Sequence, residues 1–80
     1  MKKESRRERF EKAKAQASIA REEIDQLRQE LEDWRENLPE NLQEGSKAEE
    51  LDEAISQLEE ILEWFDEIDS AEVNFPGMYA

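Results

Sequence analysis

Two runs of apolar residues at helical spacing, parted by a single cluster of helix breakers, leave this chain little to become except a helical hairpin. Phe10, Ala13, Ala17, Ala20, Ile24, Leu27, Leu31, Trp34 and Leu38 follow one another in steps of three and four, a heptad seam of about four repeats. The second run is Leu51, Ala54, Ile55, Leu58, Ile61, Leu62, Phe65 and Ile68. Between them the segment LPENLQEGS brings together Pro39, Asn41, Gly45 and Ser46. Ser5 and Glu8 make a capping box, and Pro39 forces the preceding residue out of helical geometry, so the first helix is expected over 5–38. Ser46 and Glu49 make a second box and place the second helix over 46–69. A connector over 39–45 is short enough to fold the two back antiparallel, with Leu42 as a plug over the end of the core. The expected fold is all-α: one domain over 1–80, a long antiparallel hairpin with a turn-forming tail over 70–80.

The second run is broader than one partner helix can cover. One stripe passes through Leu51, Ile55, Leu58, Leu62 and Phe65, another through Ala54, Ile61 and Ile68, with Trp64 at the border. So wide an arc calls for two neighbours, and two hairpins packed into a four-helix bundle would supply them. The expected interface between copies is Ile19, Ala54, Leu58, Ile61, Phe65 and Ile68. In the first helix the seam is alanine before Ile24 and large after it, which predicts a closer helix approach near Ala13 to Ala20 than near Trp34.

Size points the same way. A core built from 80 residues rarely leaves more than about 3–5 kcal/mol without added support. The chain has no Cys for a disulfide and neither Cys nor His for a zinc site, so self-association is the remaining remedy. The opening MKKESRRERF lacks the apolar core of a signal peptide, and no apolar run approaches the roughly 20 residues of a membrane span. A cytoplasmic protein is expected, without membrane contact.

Charge is divided unevenly. Residues 1–14 carry seven Lys/Arg against three Glu, a local +4, which leaves −16 of the total −12 for the rest of the chain. From Glu49 to Glu72 there are eleven carboxylates and no Lys, Arg or His. Along a helix that is one charge per roughly 3.3 Å, close to the phosphate spacing of one DNA strand. Mixing signs at i,i+4 would add a few tenths of a kcal/mol per pair, and this segment forgoes it. A solvated face that keeps a small oligomer dispersed is the plain alternative. The acidic residues singled out for binding are Glu49, Glu53, Glu60, Glu63 and Glu67, and the partner they suit is a basic protein surface, not duplex DNA. The basic stub is expected to neutralise the acidic end of the second helix or of a neighbouring subunit. The first helix should overhang the second by about ten residues. Beside that overhang runs SAEVNFPGMYA, whose Phe75, Met78 and Tyr79 suit a tail that either folds back around Phe10 or docks into a partner.

Catalysis finds no footing in these residues. Glu50 with Glu53 and Glu63 with Asp66 resemble the paired carboxylates with which all-α nucleotide pyrophosphatases hold Mg²⁺, but here both pairs lie on one helix with no turn between them. There is no phosphate-binding glycine loop and no nucleophile–base set. No cofactor or metal is expected, and the chain is read as non-enzymatic.

The run EDWRENLPENLQEGSKAEELDEAISQLEE with the closing FPGMY resembles small acidic helical proteins of bacteriophage and prophage genomes, largely without assigned activity. The likeness covers roughly residues 30–79 and is carried by Trp34, Leu38, Pro39, Asn41, Leu42 and the segment from Phe75 to Tyr79. It implies a phage setting and, by analogy, stoichiometric binding to a basic host protein, such as a defence factor or a nucleic-acid-processing protein mimicked out of its DNA. The alternative is an assembly or scaffolding module that docks through its tail.

Overall fold

The computed structural model describes residues 4–76 and is a hairpin of two long helices. Helix α1 is Arg6–Glu36 and α2 is Ser46–Ser70, joined through a 3₁₀ turn at Glu40–Leu42. The molecule measures 64 × 23 × 13 Å with a radius of gyration of 19.1 Å. A compact chain of this length would have a radius near 12 Å, so these two helices form a single layer, with no third long element behind them among the described residues.

The helix ends follow local chemistry. Ser5 adopts extended backbone and its Oγ accepts the Glu8 backbone N–H at 3.1 Å, the N-cap half of the expected box at the start of α1. At the other end Asn37 caps α1, its backbone N–H reaching the Asp33 carbonyl at 3.0 Å and its side chain donating to the same oxygen at 2.7 Å. The second box does not form. Helix α2 starts at Ser46 as expected, but its N-cap is Gly45 in extended backbone with no side-chain hydrogen bond, because Ser46 is already inside the first turn. At its far end α2 stops at Ser70, one residue beyond expectation, and α1 exceeds α2 by six residues, 31 against 25, not by about ten.

The core is small and lies at the turn. Leu38, Ala48 and Leu51 are buried against one another with Leu31 packed beside them, and Leu62 is buried further along α2. Leu38, not Leu42, is the plug: Leu42 sits in the 3₁₀ turn and is exposed, its backbone spent on bonds to Pro39 and Gly45. The small residue at the deepest point is Ala48, at 2 % exposure, whereas Ala13 is exposed. Burial is thus deepest at the turn, while Ala17 and Ala20 of α1 are half-buried. Among the described residues no polar or charged residue is buried.

Four of the nine residues of the expected α1 seam fall to one side of the stripe that faces α2. Phe10, Ala17, Ile24, Leu31 and Leu38 are buried or half-buried, while Leu27 is 49 % and Trp34 50 % exposed. A helix advances about 100° per residue, so the series through Ala13, Ala20, Leu27 and Trp34 lies about 60° to one side of the first series. A single partner covers one stripe, and it covers the other.

Candidate interaction surfaces

What completes the seam of α1 is a row of cations that the apolar pattern concealed. Lys14, Arg21, Arg28 and Arg35 recur every seven residues, about 40° to the opposite side of Ala17, Ile24 and Leu31, and all four are half-buried. Arg21 Nε meets Asp66 Oδ1 at 2.7 Å and Arg35 Nε meets Asp52 Oδ1 at 2.9 Å, both across the hairpin. Lys14 Nζ donates to the Ala71 carbonyl at 3.0 Å. Arg35 also donates to Gln43 Oε1 at 2.5 Å, and Gln43 Nε2 to the Leu38 carbonyl at 2.6 Å, tying the connector to α1. Arg28 breaks the rule: it turns along its own helix to Asp25 at 2.8 Å and Glu32 at 2.8 Å. The hydrogen bond from Arg28 draws the Asp25 carboxyl below its ordinary range, and those that Arg28 donates to Asp25 and then Glu32 raise its guanidinium. Seven-residue recurrence of Lys/Arg on α1, matched by Asp52, Glu59 and Asp66 on α2, was the available sequence signal.

These bridges also revise the charge of α2. Of the eleven carboxylates from Glu49 to Glu72, Asp52 and Asp66 meet cations of α1, and Glu50 meets Lys47 at 3.2 Å. The last turn of α2 contains no basic residue of its own, although its dipole favours one there. Arg21 and Lys14 supply that charge from α1. The neutralisation expected of the basic stub is therefore done in part by Lys14, while Lys12 pairs with Glu4 at 2.6 Å within the overhang.

The five acidic residues singled out in the sequence share one surface. Glu49, Glu53, Glu60, Glu63 and Glu67 are all exposed on the side of α2 away from α1, and among the described residues none joins an ion pair. Eighteen residues of helix separate the first from the last, on the order of 27 Å. The row thus averages one charge per about 7 Å, roughly twice the phosphate spacing of one DNA strand. The closer match required counting acids that the fold turns to other sides.

The expected copy–copy residues divide among three surfaces. Leu58 and Phe65 are half-buried on the stripe of Leu51 and Leu62 that faces α1, and Phe65 lines a cleft with Ala17 and Arg21. Ile19 is 61 % exposed on the outer side of α1. Ala54, Ile61 and Ile68 lie together on one flank of α2, where Ile61, Trp64, Phe65 and Ile68 frame an open apolar groove. The six do not form one patch.

The tail folds back as far as it is described. Phe75 meets Phe10 edge-on with ring centroids 5.8 Å apart, and Lys14 Nζ stands 5.5 Å from the Phe10 ring. Phe75 and Phe10 are both half-buried. Met78 and Tyr79 lie outside the described residues.

Neither carboxylate pair gathers a metal site. Among the described residues no cluster of three acidic, His or Cys side chains has the geometry to hold an ion. No described helix is long and apolar enough to cross a membrane. No known protein family, curated protein or solved structure matches this chain, so the surfaces themselves must carry the functional argument.

Proposed function

We propose that this is a non-enzymatic binding protein whose outer α2 surface, through Glu49, Glu53, Glu60, Glu63 and Glu67, engages a basic protein surface. The observation that carries it is the sorting of charge: α1 neutralises acids on the flank of α2, yet the outer row is left unpaired along the helix. An unpaired row costs helix stability through like-charge repulsion at i,i+4, a cost that a cationic partner would relieve. With the phage resemblance, the suited target is the nucleic-acid-binding site of a host defence or replication protein, in the host cytoplasm. The docking module is the weaker reading, since Phe75 is already engaged with Phe10.

The test combines capture from host lysate with competition. The captured protein should be basic, should be displaced by DNA, and should lose affinity steeply once salt brings the Debye length below about 10 Å. Glu53→Lys with Glu60→Lys should abolish capture while leaving helicity intact. Capture indifferent to salt, DNA and the double reversal would remove the acidic row from the function.

A further inference from the structure

We draw no further inference here: the strongest candidate, the apolar flank where Leu27 and Trp34 of α1 run beside Ile61, Trp64 and Ile68 of α2, carries nothing because nothing in the structure shows what covers it.

Discussion

The two flanks of the hairpin seam are built from the same heptad and end up opposite in character. On one, long basic side chains of α1 rise past the apolar stripe and meet acids and carbonyls of α2, and the returning tail closes its open end through Lys14 and Phe75. On the other, no cross-helix ion pair is found among the described residues, and Leu27, Trp34, Trp64 and Ile68 remain about half exposed. The aliphatic stems of Arg and Lys shield apolar surface while their heads stay wet, so a charged flank can be finished within one chain. An apolar flank can be finished only by another apolar surface. The comparison teaches that a heptad position is a choice between closing a surface and offering it.

The largest effect should come from the seam that both flanks share. Leu62 is 7 % exposed, and Leu62→Asp would bury a charge with no partner, costing on the order of 4 kcal/mol. Helical circular dichroism at 25 °C should collapse; retention of the wild-type signal would mean that the seam is not what holds the helices together. Next is the tail. Phe75→Ala removes the edge contact with Phe10 and should cost about 1 kcal/mol, lowering the melting temperature by several degrees. An unchanged melting curve would mean that the charged flank is open at that end.

Arg35→Met keeps much of the stem but loses Asp52 and Gln43, for a cost of about 0.5–1 kcal/mol that shrinks in high salt. Urea titrations at two ionic strengths measure it. A salt-independent loss would assign the role of Arg35 to packing. Trp64→Gln, on the apolar flank, should change the stability of dilute protein by less than about 0.5 kcal/mol, since that ring packs on little within its own chain. A large loss at low concentration would show the apolar flank to be closed after all.

The smallest effect is a pH dependence. The folded Asp25 carboxyl, held below its ordinary value chiefly by Arg28, contributes stability that is complete above the ordinary Asp range and lost as pH falls through the depressed value. Asp25→Asn should remove that part of the acid limb of the stability curve by lowering the neutral plateau slightly, leaving the acid end unchanged. An identical acid limb in the variant would separate Arg28 from it.

Spacing alone gave both helices, their antiparallel hairpin and the first cap, because periodicity, Pro39 and Ser5 act through local geometry. It also assigned the five outer acids to one helix surface, which follows from their steps of three, four and seven. The second cap failed because two capping residues stood side by side, Gly45 and Ser46, and only the entry angle of the chain selects between them. Leu42, expected as the plug, gave way to Leu38 because the 3₁₀ turn leaves Leu42 exposed.

What the sequence by itself determined is the set of stripes: which residues line up along each helix and how far apart they fall. What only the tertiary structure decided is which stripe of α1 turns inward. Rotating a helix by some 50° about its axis exchanges Leu27 and Trp34 for Arg28 and Arg35 at almost no local cost, since every intrahelical hydrogen bond is preserved. The choice is made across the hairpin, where Asp52 and Asp66 offer partners to cations and nothing on α2 can cover both stripes at once.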